Sequence, residues 1–168
     1  ALYQSARAAL NEHDLAAASS ALKNILAWFP NGFAGPSALL LTGQEMVNQN
    51  DPAGARQLFA QFNQMYPENL LRAEVRLAIG RSFEAEGKWD AAITNYTSWS
   101  GTFTNSYLMP QAQFRVAWDQ YMAGHETNAL MLFTNFITRC SRSRVMTIRA
   151  HVSCCWARFW KTRGSRNG

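Results

Sequence analysis

The stretch PAGARQLFAQFNQMYP, residues 52–67, has the spacing of an amphipathic helix bounded by prolines. Ala55, Phe59 and Phe62 follow one another at intervals of four and three residues, which places them on one face of an α-helix. Pro52 suits the first turn of a helix, where a missing N–H removes no hydrogen bond, and Pro67 stops a helix. The stretch therefore predicts one helix, residues 53–65, with a single apolar face.

This pattern recurs so that the chain holds four copies at a period of 37 residues. Each copy has an alanine, apolar residues four and seven positions later, and a small residue twelve positions earlier. The matching sets are Ala18, Leu22, Ile25 and Ala6; Ala55, Phe59, Phe62 and Gly43; Ala92, Tyr96, Trp99 and Gly80; and Ala129, Phe133, Phe136 and Ala117. Self-similarity at a fixed period of this length is the signature of a repeat protein.

Each unit is predicted to be a helical hairpin. A turn rich in Gly, Asn or Asp precedes each alanine, and Gly or Asn tolerates the left-handed backbone that ends a helix. The small residue on the first helix lets the second helix approach closely. Because one hairpin cannot bury its apolar face alone, the units are expected to stack into a solenoid. The predicted helices span 1–11, 14–28, 36–49, 53–65, 69–86, 89–100, 108–123 and 126–138.

Charge divides the chain into two parts. The 168 residues are 48% hydrophobic and 16% charged, which excludes a disordered chain, and no apolar run approaches the roughly 18 residues that a membrane helix needs. Residues 1–138 contain 8 Lys and Arg and all 11 acidic residues, a net charge of -3, whereas residues 139–168 contain 8 basic residues and no acid. We therefore expect a repeat domain over 1–138 and a distinct basic tail over 139–168.

The tail has three competing interpretations. Arg with Trp and Phe suits a segment that contacts nucleic acid or anionic lipid, and the repeat register would instead place a capping helix at residues 146–160. Apolar residues alternate with polar ones from Ile148 to Trp156, however, which is the spacing of a strand. The abrupt change in composition also fits a shift of reading frame near residues 138–141. The gene sequence in all three frames tests that last interpretation.

No known catalytic motif is present. The chain has no Walker loop, Gly-x-Ser-x-Gly or His-Glu-x-x-His sequence, and His13 and His125 fall in predicted hairpin turns. Glu84 and Lys88 are spaced four residues apart, as in an exposed ion pair on a helix. The remaining candidate metal set is poor because two of its cysteines are adjacent; it consists of Cys140, His151, Cys154 and Cys155. We expect a non-enzymatic protein without a metal or cofactor.

The repeat columns resemble those of the tetratricopeptide repeat (TPR) family. That family has a small residue at position 8 of its unit, Ala at 20, an aromatic residue at 24 and Pro at 32, matched here by Gly43, Ala55, Phe59 and Pro67. The resemblance implies an all-α, right-handed superhelical solenoid of antiparallel helix pairs, about four units of 37 residues, within a longer array. The Tyr66-Pro67 type of link is similar to bacterial envelope members, such as the β-barrel assembly lipoprotein and the Tol–Pal coordinator, which implies a periplasmic or envelope location.

The resemblance also implies a function. TPR solenoids bind a peptide or partner helix in a concave groove formed by the first helix of each hairpin. The Lys/Asn clamp of chaperone-binding members is absent, so recognition of a terminal carboxylate is not implied, and nucleic acid is a less favoured partner. The groove residues carried over from the family are Tyr3, Arg7, Leu40, Gln44, Leu77, Arg81, Glu84, Phe114, Trp118 and Tyr121. Alternatively, the last three aromatic residues only pack against a following repeat.

Overall fold

A computed structural model describes residues 1–142, with side chains to residue 138. Within this range the chain forms eight α-helices and no strand, as the repeat predicted. Consecutive helices pack as antiparallel pairs, so four hairpins follow one another along the chain. The helices are α1 (Leu2–Asn11), α2 (Leu15–Trp28), α3 (Ala34–Asn48), α4 (Pro52–Met65), α5 (Arg72–Ala85), α6 (Trp89–Thr102), α7 (Met109–Met122) and α8 (Glu126–Arg142).

The turns inside the hairpins share one backbone conformation. Positive φ angles occur at His13 (58°), Asn50 (64°), Gly87 (69°) and Gly124 (86°), and these residues are spaced 37 apart. Left-handed backbone at this point closes the first helix of each unit. The Asp14 and Asp51 side chains that follow two of these turns accept the N–H groups of Ala17 and Gly54, both at 2.9 Å, and so cap the next helices. The internal repeat is therefore also a repeat of turn geometry.

Small residues on the first helices make room for aromatic rings on the second helices. A Cβ atom built on Gly43 would overlap the Phe59 ring, and one built on Gly80 would overlap the Tyr96 ring. Phe59, Tyr96 and their apolar partners are fully buried. The complementary pair of small residue and ring, predicted from the register, thus forms the core of the second and third hairpins.

The four hairpins do not stack identically. α3 packs beside both α1 and α5, so the first helices of hairpins one to three form a continuous layer. α7 instead packs chiefly on α6 and α8. Side chains, rather than close helix packing, therefore connect α5 to α7, and the joint between hairpins three and four differs from the two before it.

Two predicted helix starts shift by two or three residues for local reasons. α5 begins at Arg72 rather than 69, because the Asn69 side chain accepts the Leu71 N–H at 2.9 Å and holds a turn before the helix. α3 begins at Ala34 instead of 36, which leaves Pro36 in the first turn, where its missing N–H is harmless. α8 continues four residues past the predicted domain boundary at 138. The strand, capping-helix, frameshift and Cys/His metal hypotheses for the tail fall almost entirely outside the described residues.

Candidate partner-binding surface

Eight of the ten predicted groove residues form two columns of different exposure, and Glu84 and Tyr121 form a third. Tyr3, Leu40, Leu77 and Phe114, spaced 37 residues apart, are half-buried or buried. Tyr3 packs against the first core cluster, and the Phe114 ring lies 5.8 Å from the ring of Phe133 and 6.2 Å from that of Phe136. This column therefore contributes to packing within the solenoid.

The second column is accessible to a partner, and its members are Arg7, Gln44, Arg81 and Trp118. Arg7 and Arg81 are exposed, Gln44 and Trp118 are half-buried, and neither guanidinium makes a hydrogen bond or ion pair within the described part of the chain. The Trp118 ring lies 6.1 Å from that of Tyr121, a half-buried neighbour. The column thus presents two cationic groups, an amide and an aromatic pair on four successive first helices.

Glu84 makes structural contacts that its position alone did not predict. The Tyr96 hydroxyl donates a hydrogen bond to Glu84 Oε1 at 2.7 Å, and Arg115 forms an ion pair with the other carboxylate oxygen. The expected Glu84–Lys88 pair is wrong, because Lys88 Nζ lies 2.8 Å from Glu86 Oε2 instead. Since Glu84 lies on α5 and Arg115 on α7, this ion pair bridges the joint where the two helices do not pack closely.

Asp119 lies in the same region and is completely buried. Neither of its carboxylate oxygens has a hydrogen-bond partner among the described residues. Burial raises the pKa of Asp119 to about 8, and the negative charge of Glu84 adds to the rise while Arg115 opposes it. A carboxyl group in this environment holds its proton at neutral pH.

At the two preceding joints, between hairpins one and two and between hairpins two and three, the residue equivalent to Asp119 has a hydrogen-bond partner. Glu45, 74 residues before Asp119, is 2.8 Å from His13 Nδ1, and it also accepts from the Asn48 and Gln49 amides. These hydrogen bonds, that of His13 first, lower the pKa of Glu45 to about 2. At the middle position, Ser82 Oγ accepts from Arg56 at 3.2 Å.

At the third joint Ile93 stands 37 residues after Arg56, so the corresponding α6 position cannot donate to Asp119. Sequence analysis missed the joint residues Glu45, Arg115 and Asp119. The available signal was a polar residue at each of positions 45, 82 and 119, which are 37 residues apart.

His125, which was expected to be an exposed turn residue, is exposed and lies 2.9 Å from Gln120 Oε1. No cluster of potential metal ligands occurs in residues that the structure describes.

Comparison with known proteins identifies the architecture. No protein-family model matches the chain, and no curated protein matches its sequence. The crystal structure of nearly identical TPR-like repeats, from a Podosopora anserina protein described as a kinesin light chain, superposes with a TM-score of 0.67 at 11% identity. The match covers 85% of this chain and 74% of the other. No helix in the described region is long and apolar enough to cross a membrane. The fold is thus an all-α solenoid of TPR-like helical repeats.

Proposed function

We propose that this chain is a non-enzymatic scaffold that binds a peptide or partner helix along its row of first helices. The observation that carries the proposal is the accessible column Arg7, Gln44, Arg81 and Trp118, which repeats on α1, α3, α5 and α7. Arg and Trp are enriched among the residues that dominate interface binding energy. The free guanidinium groups favour a ligand with carboxylate or carbonyl oxygens, and the Trp118–Tyr121 pair favours an apolar side chain at one end.

Three of the carried-over residues, Glu84, Phe114 and Tyr3, have a different role in this proposal. Glu84 is engaged by Tyr96 and Arg115, and Phe114 by the rings of α8. We assign all three to supporting the surface. The residues that we assign to ligand contact are Arg7, Gln44, Arg81, Trp118 and Tyr121.

The experiment uses the tightest peptide selected from a random display library against the full chain, measured by fluorescence anisotropy. Trp118→Ala is expected to weaken binding by about 30-fold, the size of an interface hot spot. Arg81→Ala is also expected to weaken it, and because Arg81 is exposed and unpaired in the described structure, this variant leaves the fold intact. Trp89→Ala and Lys23→Ala, on second helices α6 and α2, are the matched controls. Equal effects of the control and test variants would contradict the proposal.

The location that we propose is the bacterial envelope. The Phe29-Pro30 and Tyr66-Pro67 links support it, because both resemble the links of envelope-type repeats. The gene sequence upstream of Ala1 is the test. A signal peptide or a lipidation sequence in frame would agree with the proposal, and a start codon followed directly by further repeats would contradict it.

A second candidate function belongs to the basic tail. Residues 139–168 contain 8 basic residues and no acidic one, which favours a polyanionic partner such as nucleic acid or an anionic membrane. Salt distinguishes the two functions. Tail binding to DNA or to anionic vesicles should weaken steeply as salt rises, whereas peptide binding, in which only Arg7 and Arg81 contribute charge, should weaken much less.

A further inference from the structure

Large apolar side chains recur in the links between hairpins, where they are exposed to solvent. Phe33, Leu70 and Tyr107 are spaced 37 residues apart and lie just before α3, α5 and α7, respectively. Their exposures are 102%, 94% and 78%, so they bury almost nothing within the solenoid. We call these three residues the link row. Single exposed apolar residues are ordinary, but a large one at the same place in three successive units marks an interaction surface.

Further exposed apolar groups lie at the same end of the hairpins. Trp28 and Phe29 end α2, and Met65, which is 37 residues after Trp28, ends α4. Trp28 is 74% exposed and Phe29 59%. With about 150–250 Å² for each aromatic side chain, these residues and the link row together present roughly 800 Å². A standard protein–protein interface buries about 800 Å² on each partner, so this edge is large enough for a stable dimer.

The charge distribution lets two copies of this edge approach each other. Asn31 and Asn105 occupy the column beside Phe33 and Tyr107, and both are uncharged. The charged member of that column is Glu68, two residues before Leu70. It is balanced by Arg72, two residues after Leu70, whose guanidinium lies 4.0 Å from the Glu68 carboxylate. Opposite charges on the two sides of one residue are self-complementary about a two-fold axis that passes through it.

We propose that the link row is a dimerisation surface for a second copy of this chain, related by a two-fold axis near Leu70. That axis pairs Leu70 with the Leu70 of the second copy and Phe33 with its Tyr107, as an isologous interface requires. The Tyr107 hydroxyl donates to Glu74 at 2.6 Å, which holds the ring in place before association. The surface is on the links and is independent of the peptide-binding column proposed above.

Sedimentation equilibrium of the full chain tests the dimer. The mass is expected to rise with concentration from 18.9 kDa to twice that value. Leu70→Glu places two carboxylates against each other at the axis, which should weaken the dimer by more than about 100-fold. Leu130→Glu is the matched control, because Leu130 is a half-exposed leucine on α8, and this change should leave the dimer intact. Circular dichroism checks that both variants remain folded.

A mixing experiment tests the two-fold axis itself. Leu70→Glu and Leu70→Lys should each be monomeric alone and should form a heterodimer when mixed, because opposite charges then meet at the axis. A wild-type chain that stays monomeric at all concentrations, equal weakening by Leu130→Glu, or a mixture that stays monomeric would overturn the proposal. A monomer that sediments with phosphatidylcholine vesicles through Phe33 and Leu70 would also overturn it, in favour of a lipid surface.

Discussion

Replacing Asp119 with Asn is expected to stabilise the fold at neutral and alkaline pH. In the folded chain the carboxyl group is completely buried, has no hydrogen-bond donor in the described region and faces the charge of Glu84. Arg115 and Tyr96 are the other titratable groups near it, from α7 itself and from α6, and the part of α8 with described side chains adds no charge against it. Asn keeps the size of the side chain and is neutral at every pH, so folding no longer requires the uptake of a proton.

The sign of the pH dependence follows from the direction of the pKa change. Because the folded pKa lies above the unfolded value, the folded chain binds more protons than the unfolded chain between the two. The free energy of unfolding therefore falls as pH rises from 4 to 8, and the loss is complete above pH 8. A rise from 3.8 to about 8 corresponds to at most about 6 kcal/mol, at about 1.4 kcal/mol for each pH unit. Relaxation and water entry reduce such penalties, so we expect about 2–4 kcal/mol.

The assay is urea unfolding of the full chain at a series of pH values from 4.5 to 8.5, followed by circular dichroism. Asp119→Asn should match the wild type near pH 4.5 and exceed its stability increasingly toward pH 8. Asp119→Ser, which restores the residue type of Ser82 at the preceding joint, should behave similarly. Asp90→Asn, at an exposed aspartate of α6, is the control and should leave the pH slope unchanged. An Asp119→Asn variant with the wild-type slope would refute the assignment of a buried, protonated carboxyl group.

Three further changes test the repeat and its joints. Gly43→Leu should destabilise the fold by about 1–3 kcal/mol because its side chain meets the Phe59 ring, whereas Gly101→Ala, in open space, should be tolerated in the same thermal unfolding assay. Glu45→Gln should weaken the loss of stability on acidification, because the depressed pKa makes Glu45 stabilising above pH 4.5 and this contribution disappears as pH falls toward 2. Tyr96→Phe removes a hydrogen bond to the carboxylate on α5 and should cost about 1–3 kcal/mol in urea unfolding.

The elements that the sequence predicted are those set by spacing within one hairpin. The interval between Gly43 and Phe59 encodes a hole and the ring that fills it, and Asn50 and Gly87 each permit the left-handed turn inside their own hairpin. These relations depend only on helix periodicity and on the steric freedom of small residues. They are therefore readable without knowledge of how one hairpin lies on the next.

The elements that escaped prediction depend on the offset between hairpins. Glu84 has an ordinary helical neighbour in Lys88, yet it binds Arg115 because α7 brings that side chain across the joint. Likewise, nothing local distinguishes Asp119 from an exposed aspartate on a helix; only the packing of α7 on α6 and α8 buries it. The exposure of Phe33 and Leu70 depends on the same offset, because the position of a link between two hairpins decides whether its apolar residues are buried.

In the proposed function, ligand binds along the first helices α1, α3, α5 and α7. Hydrogen exchange of the full chain, with and without the display-selected peptide, measures this most directly. If ligand binds there, protection should increase in α1, α3, α5 and α7 around the column that runs from Arg7 to Trp118, and should change little in α2, α4 and α6. Protection confined to the second helices or to residues 139–168 would contradict it.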